Sequence, residues 1–282
     1  MGEKACGRKI YFVVREVLWM KIALCLSGII GGFGGRDGVG EKIPVELCYE
    51  EWSKALLDHY DTDVFLHSWS VEDQEKIINN FKPTNFLFEE QKVFMPKFSD
   101  YHHKASTLED LKKDIRYREI ALEYSVDALW NHMDYMMYQT HSKYFANKQA
   151  VKLKADYEKE NNFKYDLVIL SRFDMHFNKV FDFANFEKSC FYVSPRTDFG
   201  VKRKDYDIAV HDLFFFSNSD NMDLYSKQYD EIYTLCISQP HAAKEMVDKI
   251  CKKENIRHFW DYQSDYNTIR QTYSPDIIKK YK

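Results

Sequence analysis

KIALCLSGIIGGFGGRDGVG, Lys21 to Gly40, decides how the chain is read. An apolar segment breaks there into Gly28, Gly31, Gly32, Gly34, Gly35, Gly38 and Gly40, seven of the ten glycines in the sequence. The aliphatic run up to Ser27 predicts a buried strand, and a strand that breaks into glycine predicts a loop whose backbone can approach a ligand closely. Near the start of an α/β chain such a loop usually holds a nucleotide or its phosphates. The two common motif readings fail, because no Lys-Ser or Lys-Thr step of a P-loop is present and no helical run opens on the last glycine. A helix begins only near Pro44, as first-turn residue. What remains is a flexible strand-to-helix loop with one cation, Arg36. A mobile surface linker is the alternative reading of the same glycines.

Outward from this loop, apolar spacing predicts a helix from Pro44 to Tyr60, with Val45, Leu47, Trp52, Leu56 and Leu57 on its apolar side. TDVFLHSWS, residues 62–70, reads as a second strand, followed by a polar helix to about Asn80 and a weaker strand at Asn85 to Phe88. Residues 90–105 lack periodicity and read as a long loop. From Thr107 to about Glu160 the pattern is helical and predicts two helices, with Trp130, Met133, Met136 and Met137 at helical spacing as core. In KYDLVILSRFDMHF, Leu167 to Leu170 is an unbroken apolar run, the mark of a central strand covered on both faces. CFYVSP gives a further strand ending at Pro195, residues 196–211 are charged and irregular, and Leu213 to Ser217 is a short aromatic strand. Helices are predicted at Asn221 to Ile237, Ala242 to Asn255 and Asp265 to Gln271. Alternating strands and helices, with no repeat and no linker, predict one α/β domain over residues 20–282 with a central, mostly parallel sheet flanked by helices.

The 282 residues carry a net charge of −4. That leaves no broad basic excess for a nucleic-acid backbone, while small anions remain open to local cations. Six cysteines without a C-x-x-C pair argue against structural zinc and a disulfide framework, and favour a reducing compartment. Arg15, Glu16 and Lys21 interrupt the apolar residues near the N-terminus, so no run reaches the ~18 needed to span a bilayer. Residues 1–19 read as a dispensable extension, with Met20 as an alternative start. The 20 tyrosines tilt the reading toward a site where a polar tip meets a sugar or base.

The strand at Leu167 emerges as Ser171-Arg172-Phe173-Asp174-Met175-His176. In an extended segment residues i and i+2 share a side, so Asp174 and His176 could hold one cation at the carboxyl end of the strand, where ligands of open α/β sheets collect. The pattern alone is weak, since Asp100-Tyr101-His102 repeats it in the irregular loop. A surface histidine beside a strand end is the other reading of His176. Arg172 could close the strand end as an ion pair with Asp174, or offer its planar fork to a phosphate or sugar.

The glycine-containing loop after strand one, DVFLHSW, WNHMDYMMYQ, YDLVILSRFD and HDLFFFSN together resemble small nucleotide-sugar glycosyltransferases of the GT-A type. The likeness is to those encoded by bacterial polysaccharide clusters and by large algal viruses such as chloroviruses, and it covers most of residues 21–237. It implies a GT-A-like (Rossmann-like) domain, with a nucleotide-binding part at about 20–176 and an acceptor part at about 177–282. The implied reaction moves a sugar from a nucleotide-sugar donor, UDP favoured and UDP-xylose among the candidates, to an oligosaccharide or glycoprotein glycan. A cytoplasmic setting is implied, the host cytoplasm if viral.

In GT-A enzymes an Asp-x-Asp or Asp-x-His motif after a central strand holds a divalent metal on the donor diphosphate, and Asp174 and His176 match that place. A fixed cation there stabilises the charge that grows on the leaving group. A mixed carboxylate and imidazole pair favours Mn²⁺ over Mg²⁺. The resemblance puts nucleotide recognition at the ends of the first two strands, which makes Ser27, Gly28, Arg36 and His67 candidates beside Arg172 and Asp174. An inverting transferase needs a base on the acceptor side. Asp212 is the candidate, with His211 as orienting partner or metal-side ligand. Two other classes stay open: metal-dependent nucleotidyl transfer or phosphodiester hydrolysis, which would call for a denser cluster of acids and histidines, and a non-catalytic sugar-nucleotide-binding module.

Overall fold

Strand β1, Ile22–Gly28, forms at the expected run and is buried along its length as far as Ser27. The computed structural model describes residues 20–34, 39–96, 126–195 and 209–281, with isolated helical positions at 109 and 113; side chains of the long helix are described from His132 onward. Residues 1–19, Arg36, most of the helical stretch expected before Val126, and the charged loop at 196–208 lie outside the described residues.

Helix α1, Val45–Trp52, follows Pro44 directly, so the proline is the capping residue, one position before the first turn. A π-helical turn, Ser53–Leu57, extends it, with the Asp58 N–H donating to the Ser53 carbonyl at 3.0 Å. Strand β2 is Thr62–Ser68, α2 is Gln74–Phe81 after a short 3₁₀ turn, and β3 is Asn85–Phe88. Helix α3 runs from Val126 to Asn161 without a break, and the part of the expected helical stretch before it lies outside the described residues except for helical positions 109 and 113. Strands β4, Leu167–Arg172, and β5, Met175–Phe177, follow, then β6, Phe191–Pro195, and β7, Val210–Ser217. β7 thus starts three residues earlier than its aromatic run suggests.

Helix α4, Ser219–Lys227, is capped by Asn218, whose side-chain oxygen accepts from the Asn221 N–H at 2.8 Å. α5 is Gln239–Ile250, and β8, Ile256–His258, takes up chain expected to be irregular. The helix expected at Asp265 to Gln271 is instead β9, Tyr266–Thr268, and a single turn, α6, Ile269–Thr272. Pairing overrides local preference there: β9 lies antiparallel to β5, with Tyr266 opposite Phe177 and wholly buried.

The main sheet has seven strands in the order β3-β2-β1-β4-β7-β6-β8. β1 pairs parallel with β2 and β4, β2 with β3 and β6 with β8, while β7 is antiparallel to both its neighbours. The alternation of Cβ directions splits the core into two layers. Ile22, Leu24, Leu26, Leu167 and Ile169 face α1, α2 and the C-terminal residues Tyr266 and Ile269. Ala23, Cys25, Val168 and Leu170 face the layer of α3, α4 and α5. The Leu167 to Leu170 run is therefore covered on both faces, as its lack of alternation requires. The five described cysteines are buried and form no disulfide. Among the described residues no helix is long and apolar enough to cross a membrane.

Candidate functional site

Successive strands run outward from β1 toward β2 and β3 on one side, and toward β4 on the other. Strand order therefore reverses between β1 and β4, and the crevice outside the carboxyl ends of two such strands is where open α/β sheets bind ligands. Here that edge carries Ser27 and Gly28 from β1, His67 and Ser68 from β2, and Arg172 followed by Asp174 from β4. The antiparallel β7 brings its amino end, His211 and Asp212, to the same edge.

Gly28 has φ +99°, a conformation that L side chains avoid, and a Cβ built on it would meet nothing within 4 Å. The loop after it is fastened to the end of β2. Ser68 Oγ–H and the Trp69 N–H both donate to the Gly28 carbonyl, at 3.0 and 3.2 Å, and the Ile30 N–H donates to Ser70 Oγ at 3.1 Å. Farther on, Gly32 bridges antiparallel to Lys42, the Phe33 N–H donates to the Glu41 carbonyl at 3.0 Å, and the Gly34 N–H donates to the Val39 carbonyl at 2.8 Å. The glycine segment is therefore a narrow excursion closed across its base. Gly31 has a φ of +88°, which favours glycine, and a Cβ there would stand in ordinary contact with Asp174 Oδ2, 3.5 Å away.

At the end of β4, Arg172 donates to Asp174 from Nε to Oδ1 at 2.8 Å and from Nη2 to Oδ2 at 2.9 Å, the bidentate geometry that a planar fork favours. Arg270, on α6, adds a third bond from Nη1 to Oδ2 at 3.2 Å. The Asp174 carbonyl accepts from the Ile269 N–H at 2.9 Å, which seats that turn beside the strand end. Asp174 is fully buried, whereas the two arginine side chains keep 21% and 12% of their surface exposed.

His176 does not join Asp174. Its Nδ1 lies 2.8 Å from Glu51 Oε2 and its Nε2 lies 3.0 Å from Asn178 Oδ1. The Asn178 amide is oriented by its own Nδ2 bond to the Ser264 carbonyl at 3.0 Å, so both ring nitrogens face acceptors. The imidazolium alone satisfies two acceptors. The Glu51 bond accordingly raises the His176 pKa from its ordinary 6.5, against the opposing effect of burial. Glu51 is itself pushed up by burial, yet ends below 4.5 because His176, Tyr273 and the Phe177 N–H all donate to it.

A metal ligand must be a neutral ring with a lone pair to offer, and a carboxylate must have an oxygen to give. Asp174 offers both oxygens to guanidinium groups, and no three His, Cys, Asp or Glu side chains among the described residues come together as a cation site. The residues at the expected metal position do not fit a divalent ion.

The Glu51–His176 pair sets a pH dependence of stability. With the His176 pKa raised on folding, its contribution is complete below about 6.5 and is lost as pH rises through the folded value. With the Glu51 pKa lowered, its contribution is present above about 4.5 and is lost as pH falls through the folded value. Thermal unfolding followed against pH should therefore fall off above the ordinary histidine range, and His176→Asn should flatten that limb. An unchanged slope in the variant would place its origin elsewhere.

Asp212 is bound by Lys143 of α3, whose ammonium donates to both its side-chain Oδ2 and its carbonyl. Asp212 also acts electrostatically on Arg172. The pairing of β6 with β7 is irregular here: Tyr192 faces Phe216 but Ser194 faces His211, so two steps along β6 span five along β7. Such irregularities re-aim side chains. His211 stacks on Tyr262 with ring centroids 4.2 Å apart, while Asp212 goes to α3. The two neighbours thus make contacts with different elements, His211 with Tyr262 and Asp212 with α3.

One turn further along α3, Asn147 Oδ1 accepts from Ser27 Oγ at 2.6 Å. His67 Nε2 lies 2.9 Å from Glu89 Oε1, and burial lowers the His67 pKa despite that carboxylate. His67 Nδ1 and Trp69 Nε1 are buried with no hydrogen-bond partner among the described residues. Trp69 is packed, its ring stacked on Phe145 at 5.7 Å.

No protein-family model matches the chain, and no curated protein matches it. The site therefore rests on its own geometry. That geometry brings together Ser27, Gly28, His67, Arg172, Asp174 and Asp212 on one sheet edge, and separates His176. It adds Arg270, Lys143 and Asn147, which sequence reasoning missed. Lys143 and Asn147 do carry a signal, being one helical turn apart on a face otherwise aimed at the core.

Proposed function

We propose that the chain is a glycosyltransferase that moves a sugar from a nucleotide-sugar donor, a UDP-sugar in preference, to a glycan acceptor. The observation that carries the reading is Gly28: a left-handed glycine at the reversal of strand order, with open space where a side chain would stand. Nucleotides lie against backbone of this kind in doubly wound sheets. The ends of β1 and β2 then receive the nucleoside, with the buried Trp69 Nε1 and His67 Nδ1 nearby. The diphosphate falls toward Arg172 and Arg270.

Asp212, across the crevice on β7, takes the role of base for the acceptor hydroxyl. In the transfer, the acceptor oxygen bonds to the anomeric carbon as the bond from that carbon to the donor phosphate oxygen breaks. The electron pair leaves with the diphosphate, and the hydroxyl proton passes to Asp212. Attack from the side opposite the leaving group inverts the anomeric centre.

A thermal-shift screen with UDP, GDP and their sugars tests the reading. A ligand at a hundredfold excess over its Kd stabilises by about 2.7 kcal/mol. One nucleotide family should raise the melting temperature and the other should not. The absence of any rise with either family would remove the reading.

A further inference from the structure

We propose that Arg172 and Arg270, locked in place by Asp174, form a guanidinium seat that binds the donor diphosphate without a divalent metal; the choice of diphosphate rests on the transferase reading above. The position expected to hold a metal is built as an arginine clamp. Asp174 accepts three hydrogen bonds from the two guanidinium groups. It is fully buried, while the Arg172 and Arg270 side chains keep 21% and 12% of their surface exposed. The carboxylate oxygens are thus taken up by guanidinium groups, the reverse of what a metal-binding aspartate requires.

Nearby, Lys143 offsets Asp212. At the strand end itself, two guanidinium groups share the one buried carboxylate of Asp174. Arg172 is joined to Asp174 through Nε and Nη2, and a guanidinium has five N–H donors, so its fork can bridge to a phosphate while the aspartate fixes its plane. The backbone of the glycine loop borders the seat, since Gly31 lies against the same carboxylate oxygen.

Two fixed guanidinium groups supply what a metal would supply at this point. They meet the charge that arrives on the diphosphate oxygen as the sugar–phosphate bond breaks, and they are oriented before the substrate enters. His176 has no part in this; its two ring nitrogens are engaged by Glu51 and Asn178.

Isothermal titration of the full chain with UDP and with inorganic pyrophosphate, at constant ionic strength, tests the seat. Both anions should bind protein kept in chelator, and replacing the chelator by Mn²⁺ should change the UDP affinity by less than about twofold. Arg270→Gln should weaken both anions by about tenfold or more, the loss of one charge-assisted hydrogen bond, and Arg270→Lys should recover part of it. The comparison of chelator with Mn²⁺ uses the unaltered protein and so stands whether or not the variants fold. UDP binding that requires Mn²⁺ would overturn the seat and leave the transferase reading in place. Arg270-dependent binding of pyrophosphate without binding of any nucleotide would do the opposite. Binding of neither anion, or equal binding by Arg270→Gln, would also overturn the seat.

Discussion

Replacing Asp212 by Asn is expected to lower sugar transfer by roughly 10²- to 10⁴-fold, the contribution of a positioned general base, while donor affinity stays within about twofold. The amide keeps the shape of the carboxylate and still offers an oxygen to Lys143, so α3 and β7 remain joined. What it loses is the capacity to accept the acceptor's proton. The negative charge of Asp212 lies close enough to Arg172 to act on it, and its removal cannot weaken the hold on an anion. Initial rates of UDP release, with an acceptor that the unaltered protein uses, and calorimetric titration with UDP separate the two quantities. Wild-type turnover in the variant would take the base away from Asp212. A parallel loss of donor affinity would assign it to donor binding instead.

Asp174→Asn should be among the most destabilising single changes in the chain, at about 3–5 kcal/mol, because it removes the shared partner of two cations held close together. Arg172 and Arg270 would be left close together without the carboxylate they share. Urea unfolding followed by tryptophan fluorescence measures the cost. Asp276→Asn serves as the reference: its pair with Lys279 is almost fully exposed, and its loss should stay within about 0.5 kcal/mol. Adding Arg270→Gln to Asp174→Asn should recover part of the loss, since neighbours that share a network couple by roughly 0.5–3 kcal/mol. A cost for Asp174→Asn no larger than that of Asp276→Asn would mean that the carboxylate does not hold the arginines.

Six of the seven strands of the main sheet were legible from residues alone, β8 being the exception. β1, β2, β3 and β4 are runs of aliphatic and aromatic residues bounded by polar ones, and burial on both faces leaves no other reading for Leu167 to Leu170. The carboxyl-end candidates Arg172 and Asp174 followed from β4, whereas Ser27 and Gly28 became nucleotide candidates through the resemblance. Helix α3 was harder, because its buried face is polar as well as apolar. Met133 and Met137 of the expected apolar spacing are buried, but Thr140, Asn147, Lys154 and Glu158 are inside as well, each with a hydrogen-bonding partner, and an apolar stripe does not mark those positions.

The C-terminal segment was opaque for a different reason. β9 is three residues long and exists because β5 is there to receive it. Arg270 meets Asp174 across 96 positions of sequence, and Glu51 meets His176 across 125. Alternation placed Asp174 and His176 on one side of an extended strand, but β4 stops at Arg172 and β5 starts at Met175, and the break between them sends the two side chains to different partners. Spacing can propose a shared ligand; it does not register a buried glutamate from another helix that reaches the histidine first.

The central claim is that the crevice between the ends of β1 and β4 receives a nucleotide sugar, and amide hydrogen exchange with and without a UDP-sugar tests it most directly. The account predicts slowed exchange at residues 28–31, 68–70 and 172–174, and near Arg270. Protection confined to the hollow lined by Tyr60, Asp61, Asn80 and Thr84 at the opposite edge of the sheet, or no protection at all, would contradict it.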